Sequence, residues 1–173
     1  KGFLLGATAG RTTLNGEGLQ HQDGHSILIA QTVPSVITYD PAFAYELAVI
    51  IQDGMRRMYV DQENVFYYVT VMNENYAHPA MPKGAEADII KGMYLFSEGK
   101  ANSENAPKVQ LLGSGTILRE AIAAAQLLQQ DFGVASDIWS VTSFNELRRN
   151  GLDCERWNML HPEAKPRASH VAQ

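Results

Sequence analysis

The sequence has little cysteine and no long apolar run. Cys154 is the single cysteine among 173 residues, so the chain cannot form an internal disulfide and suits a reducing compartment. No stretch approaches the roughly 20 apolar residues that cross a bilayer, so a membrane is not an expected partner. The composition therefore predicts a soluble, cytoplasmic protein.

Positive charge is also scarce. The chain carries 14 Lys and Arg against 19 Asp and Glu, for a formal net charge of -5. Nucleic-acid binding requires a basic surface that neutralises phosphates, so nucleic acid is not an expected partner. The sequence also has no initiator methionine, and Lys1 enters an apolar run almost at once. That start favours a fragment of a longer protein.

A glycine-rich segment near the start, residues 10–26, carries two acids and two of the chain's five histidines. It reads GRTTLNGEGLQHQDGHS and follows an apolar run that is typical of a buried parallel strand. In open α/β sheets, ligands bind at loops that leave the carboxyl ends of strands. We therefore expect chemistry in this loop. Its candidate side chains are Glu17, His21, Asp23 and His25.

The residues alone leave three interpretations of this loop open. One histidine could act as a general acid or base, since imidazole titrates near neutrality and Glu17 or Asp23 could orient it. A metal could bind to His21, Asp23 and His25, whose spacing of two places them on one face of an extended backbone. Alternatively, the polar groups only satisfy their own backbone.

Alternating strand and helix patterns predict an α/β fold with parallel sheets flanked by helices. The predicted strands cover residues 2–8, 34–39, 65–72, 93–96, 109–112 and 138–141. The predicted helices cover residues 43–58, 86–91 and 118–132. Asp40 is the predicted N-cap of the first helix, with Pro41 as its first residue. A polar linker between two strand-helix-strand units is expected over residues 73–107.

A Gly-Ser-Gly turn joins a predicted strand to a predicted helix. Gly113 and Gly115 are spaced as in the dinucleotide fingerprint, whose backbone approaches a pyrophosphate. Leu118 stands where that fingerprint has its third glycine. A plain strand-to-helix turn is therefore the favoured interpretation.

The single cysteine and its aromatic neighbourhood are not read as a catalytic site. Cys154 lies between two acids, which raise rather than lower the pKa of a thiol. Trp157, Met159 and Leu160 are interpreted as packing residues. The alternative for these three is an aromatic patch that faces a partner.

Several longer blocks carry a family resemblance. Besides the glycine-rich segment, they are YDPA from residue 39, MNENY from residue 72, LLGSG from residue 111 and DCERWNMLHP from residue 153. With these blocks the chain resembles the homodimeric, bacterial-type pyruvate dehydrogenase family, as a fragment of its much longer polypeptide. The resemblance implies that residues 1–106 are the later half of a pyrimidine-binding domain with its linker. Residues 107–173 would begin a transketolase C-terminal-like domain.

The resemblance implies oxidative decarboxylation of pyruvate on thiamine diphosphate, which links glycolysis to acetyl-CoA. The acetyl group passes to lipoyl groups of the dihydrolipoyl acetyltransferase core, and the parent enzyme is a cytoplasmic, bacterial homodimer. His21 matches the family's active-site histidine, and Glu17 matches its conserved acid. Asp23 and His25 match the loop pattern without an assigned role.

The family's cofactor motifs are not found in this sequence. The family holds thiamine diphosphate through Mg²⁺ with a Gly-Asp-Gly motif, which does not occur here. The resemblance therefore assigns both cofactors to the parent protein, and neither is expected to bind this chain alone. Two other functions stay open, a non-catalytic transketolase-like module for dimerisation or docking and a small metal-binding protein.

Overall fold

The computed structural model describes residues 1–7, 23–72, 75–101 and 106–173. Within these ranges there are six strands and five α-helices. The strands are β1 (Phe3–Ala7), β2 (Val36–Tyr39), β3 (Phe66–Val71), β4 (Tyr94–Ser97), β5 (Lys108–Gly113) and β6 (Ala135–Ser140). The helices are α1 (Ser26–Ala30), α2 (Ala44–Met55), α3 (Glu86–Lys91), α4 (Ile117–Phe132) and α5 (Phe144–Leu160). A π-helical turn over Arg56–Val60 extends α2, and a 3-10 turn covers His170–Ala172.

The strands form two three-stranded sheets. The first sheet has the order β1-β3-β2, and all its pairs are parallel. The second has the order β4-β6-β5, in which β5 pairs parallel and β4 antiparallel to β6. Parallel neighbours need a crossover connection, which α2 provides between β2 and β3 and α4 provides between β5 and β6. The predicted α/β class is confirmed, and the antiparallel edge strand is an addition to it.

Local sequence accounts for most of these elements. β3 is built from aromatic and β-branched residues, which suit a pleated, buried surface. α4 presents the fully buried Leu118 to the core, and it ends where Gly133 adopts a left-handed φ of 65°. No helix in the described part of the chain is long and apolar enough to cross a membrane.

The second sheet begins before the expected domain boundary. β4 precedes residue 106, yet its residues Tyr94 and Leu95 pair with β6. The division into residues 1–106 and 107–173 stays a prediction. The pairing of β4 favours a boundary that lies before Tyr94.

The prediction of Asp40 as a helix N-cap is wrong. α2 begins only at Ala44, and the Asp40 carboxylate instead accepts hydrogen bonds from the hydroxyls of Thr70 and Ser114. Glu46 supplies the carboxylate at the start of α2, because its Oε2 accepts the N–H of Phe43 at 3.2 Å. Aspartate is a common N-cap residue, but the carboxylate of Asp40 binds the hydroxyls of two residues that are distant in the chain and does not cap the helix.

Sequence analysis did not predict α5, the longest helix in the described part of the chain. The Ser143 hydroxyl caps it by accepting the N–H of Glu146 at 3.0 Å. This Ser-x-x-Glu spacing is a helix-start signal that could have identified α5. Met159 and Leu160 at its other end are 70% and 56% exposed, so the prediction that they pack is wrong.

A buried carboxylate connects the two sheets. Glu46 of α2 is fully buried, and its Oε1 accepts hydrogen bonds from Tyr94 Oη at 2.7 Å and Ser140 Oγ at 2.6 Å. Its Oε2 accepts the N–H groups of Ala42 and Phe43. We call the first sheet with α1 and α2 the first unit, and the second sheet with α4 and α5 the second unit. Tyr94 and Ser140 belong to the second unit, so the Glu46 carboxylate satisfies donors from both units.

We expect Glu46→Gln to destabilise the chain by about 2–4 kcal/mol, because the new amide N–H₂ faces buried donors. Ser140→Ala is the matched comparison, since it removes a single donor from the same carboxylate, and it should cost about 1 kcal/mol. Urea unfolding of both variants measures the difference. Equal costs for the two substitutions would show that Glu46 does not act as a multiple acceptor.

Candidate functional site

The candidate site lies where the carboxyl ends of strands from both sheets meet. A cavity of about 240 Å³ opens between the segment that precedes α1, the end of β2, the turn after β5 and the start of α5. Its lining includes Gly24, Ile27, Thr38, Asp40, Ser114 and Asn145. Cavities of about 530 and 550 Å³ lie along the second sheet. The smaller cavity is the candidate because it adjoins the glycine-rich loop.

Asp40 holds the centre of this edge. Its backbone N–H donates to Thr142 O at 2.8 Å, and its carbonyl accepts the N–H of Gly115 at 3.1 Å. Its carboxylate accepts the hydroxyl of Ser114 at 2.9 Å and that of Thr70. Asp40 therefore ties the end of β2 to β3 and to the two loops that follow β5 and β6.

The turn after β5 is a strand-to-helix connection, as predicted. Gly115 adopts a left-handed φ of 53°, and a Cβ built on it would lie 2.8 and 2.9 Å from the carboxylate oxygens of Asp40. The Asp40 carboxylate thus lies directly against this glycine, and its negative charge would repel a pyrophosphate that approached the turn. This contact argues against dinucleotide binding.

Only part of the predicted site lies within the described residues. His21 and Glu17 lie outside them. Asp23 accepts hydrogen bonds from the N–H and Oγ of Ser26, at 3.1 and 2.5 Å. His25 is exposed at the N-terminal end of α1, where its carbonyl accepts the N–H of Ile29 at 2.8 Å.

The metal-site interpretation has no support from the described residues. Within residues 1–7, 23–72, 75–101 and 106–173, no group of three or more His, Cys, Asp or Glu side chains could hold a metal ion. Both carboxylate oxygens of Asp23 already accept hydrogen bonds from Ser26. The proposed ligand His21 lies outside the described residues, so the three-residue site itself stays a prediction.

Tyr39 lines the same cavity but is unsuited to proton transfer at neutral pH. Burial raises the pKa of its phenol far above the ordinary value, and the charge of Glu146 adds to the shift. Its hydroxyl donates to Ile90 O at 2.7 Å. Tyr39 is therefore a neutral donor that fixes β2 against α3.

Three site residues were not identified by sequence reasoning. Ser143 Oγ donates to Thr38 O at 2.6 Å, while Asn145 Nδ2 donates to Thr38 Oγ1 at 2.7 Å and to Ile27 O at 3.0 Å. The Ser-x-x-Glu helix-start signal could have indicated Ser143. Thr38 and Asn145 lie far apart in the chain, and no local pattern connects them.

Comparison with known proteins supports the family resemblance. The pyruvate dehydrogenase E1 component middle domain family matches residues 1–79, and the transketolase-like TK C-terminal domain family matches residues 92–172. The chain is 66% identical over all 173 residues to the pyruvate dehydrogenase E1 component of Cupriavidus necator. The chain belongs to the pyruvate dehydrogenase E1 family. The Escherichia coli E1 component is 59% identical over 174 aligned residues, covering 100% of this chain.

This E1-family chain spans only 19% of the length of these relatives. Among solved structures, transketolase from Campylobacter jejuni resembles it with a TM-score of 0.60 and 18% identity. That match covers 85% of this chain and 21% of the transketolase. At such low identity the likeness supports the fold alone.

We expect Gly115→Ala to destabilise this E1-family chain more than Gly133→Ala does. Both glycines have left-handed φ values, so either substitution carries a backbone cost of about 1–2 kcal/mol. A Cβ at Gly133 has no atom within 4 Å, whereas one at Gly115 meets the Asp40 carboxylate. Crowding of this kind adds about 1–3 kcal/mol.

Urea unfolding of the two glycine variants makes the comparison, and Gly133→Ala serves as the control for backbone conformation. Equal losses of stability would mean that Asp40 moves freely away from the turn and does not hold this edge.

Proposed function

We propose that this chain is the segment of a thiamine-diphosphate-dependent pyruvate dehydrogenase (acetyl-transferring) that carries the catalytic His21 loop. The parent enzyme oxidatively decarboxylates pyruvate and transfers the acetyl group to a lipoyl group. The observation that carries the proposal is 66% identity to an E1 component over every residue of the chain. The cavity beside Asp23–His25 supports it, because it lies at the strand edge where α/β folds bind ligands.

His21 is the proposed general acid and base. As an imidazole, it can hold a proton near the carbonyl oxygen of pyruvate and stabilise the negative charge that develops there. Glu17, four residues earlier, is proposed to orient that imidazole. Asp23 connects the end of the loop to the first residue of α1, since it accepts two hydrogen bonds from Ser26.

The residues described here do not fit the cofactor's metal. Thiamine diphosphate, when bound, would supply the carbon nucleophile of the reaction, and Mg²⁺ would offset the negative charge of its diphosphate. The described ranges hold no cluster of three metal-ligating side chains, and the sequence has no Gly-Asp-Gly motif. We therefore assign both groups to other parts of the parent protein.

The partners of the parent enzyme follow from the same proposal. They are pyruvate, the dihydrolipoyl acetyltransferase of the complex and a second copy of the parent chain, in the bacterial cytoplasm. A non-catalytic module for dimerisation or docking is the alternative, and the match of residues 92–172 to a transketolase-like C-terminal domain favours it for that half. The two functions differ in whether turnover depends on His21.

We expect His21→Ala in the full-length parent to lower turnover about 100-fold or more, because a general acid or base contributes that much to a barrier. The melting temperature should stay nearly unchanged, since the loop has too few apolar side chains to support the fold. Steady-state kinetics and a thermal scan measure both quantities. His161→Ala is the control, because His161 ends α5 at the helix terminus opposite the site.

Glu17→Gln should lower turnover less than His21→Ala, because glutamine still offers a hydrogen-bonding group to the imidazole. A larger effect at Glu17 would reverse the two assignments. A folded His21→Ala enzyme with an unchanged rate would leave the docking module as the better function.

We expect this chain alone neither to bind thiamine diphosphate nor to decarboxylate pyruvate. A ligand that binds the folded state at a hundredfold excess over Kd stabilises it by about 2.7 kcal/mol, which a melting scan registers. Millimolar thiamine diphosphate with Mg²⁺ should therefore leave the melting temperature of the chain unchanged and raise that of the full-length parent. A clear upward shift for the chain would show that its residues form a cofactor site.

A further inference from the structure

Asn145 connects three elements around the candidate site. It is the second residue of α5 and only 8% exposed. Its Nδ2 donates to Thr38 Oγ1 of β2 at 2.7 Å and to Ile27 O of α1 at 3.0 Å. An amide nitrogen carries two hydrogens in one plane, so a single side chain reaches both acceptors.

α1 depends on such external contacts. The helix has five residues, Ser26–Ala30, and none of them is buried. Its apolar side chains Leu28 and Ile29 are 54% and 66% exposed. A helix this short is not stable by its own hydrogen bonds. Its position therefore depends on contacts with its neighbours, which include the bond from Asn145.

The position of α1 matters because of what precedes it. Asn145 donates a hydrogen bond to the carbonyl of Ile27. Ile27 comes six residues after His21 in the sequence. Between them, Asp23 accepts two hydrogen bonds from Ser26, which fastens the end of the loop to the first turn of α1. A displacement of α1 would carry the end of the loop with it.

We propose that Asn145 is a positioning residue for the catalytic loop, acting from the second unit through α1 on His21. This inference rests on the proposed function of His21. Misplacement of a catalytic group by about 1 Å can cost up to 100-fold in rate. The specific link in this proposal is the Asn145–Ile27 bond to α1, and not the α5–β2 junction in general.

A matched control lies on the same helix. Arg149 Nη2 donates to Val36 O of β2 at 2.6 Å, one turn after Asn145. It therefore joins α5 to β2 as Asn145 does, but its described bonds go to Val36 and Glu146 and not to α1. Arg149→Met removes a bond across the same junction without touching the loop.

The test is a double-mutant cycle in the full-length parent enzyme. Asn145→Ala should lower kcat about tenfold, with less than about a twofold change in the KM for pyruvate. In a His21→Ala background the same substitution should cost less than about twofold, because the group it positions is gone. Arg149→Met should change kcat less than about twofold in either background.

An equal loss of kcat in both backgrounds would overturn the proposal, as would an unchanged kcat or an equal loss for Arg149→Met. If Asn145→Ala does not fold, Asn145→Asp has nearly the same volume but presents an acceptor to the Ile27 carbonyl, and it should lower kcat similarly.

Amide hydrogen exchange separates this proposal from the assignment of His21. Exchange over residues 23–30 should become faster in Asn145→Ala, while exchange in β3 and in Arg149→Met stays as in the unsubstituted enzyme. Unchanged exchange over residues 23–30 would overturn the positioning role. If His21→Ala has no kinetic effect but exchange changes as expected, the proposed function fails while Asn145 still positions α1.

Discussion

The described structure depends on one edge of β2, where no neighbouring strand pairs with its backbone. β2 lies at the end of the first sheet, and its residues are buried, so backbone groups that face away from β3 cannot be satisfied by water. The carbonyls of Val36 and Thr38 accept hydrogen bonds from Arg149 and Ser143 of the second unit. Each such group would cost about 1–3 kcal/mol if left unpaired. The first sheet therefore needs the second unit beside it.

The same junction builds the candidate site. Asp40 at the end of β2 binds Ser114 after β5, and Asn145 at the start of α5 reaches back to α1. Deeper in the interior, Glu46 satisfies donors from Tyr94 and Ser140 of the second sheet. Asp40, Ser114 and Asn145 thus hold the two units together and also line the cavity next to the glycine-rich loop. The packing of the units and the position of α1 are therefore physically coupled.

Sequence patterns predicted the elements whose partners are local. Five of the six predicted strands and the helices α2, α3 and α4 follow from periodicity, because each has one clear apolar face or a continuous apolar run; β4 was predicted but not its sheet. α5 was missed because exposed apolar residues such as Leu152 and Met159 obscure its buried face. Asp40 was misread since an Asp-Pro pair has the same local signature whether the aspartate caps a helix or binds distant hydroxyls. The sequence also predicted His21 and Glu17 as catalytic residues. Both lie outside the described residues, so these assignments stay predictions.

By itself, the sequence determined the α/β class, the order of the six strands and of α2, α3 and α4, and the family, because these depend on local periodicity and on long matching blocks. Tertiary structure alone decided that Asn145 binds Ile27, that Asp40 binds Ser114, and that β4 joins the second sheet antiparallel. These contacts join residues far apart in the chain. They form because the edge of one buried strand requires hydrogen-bond partners, and only the packing of the two units determines which side chains provide them.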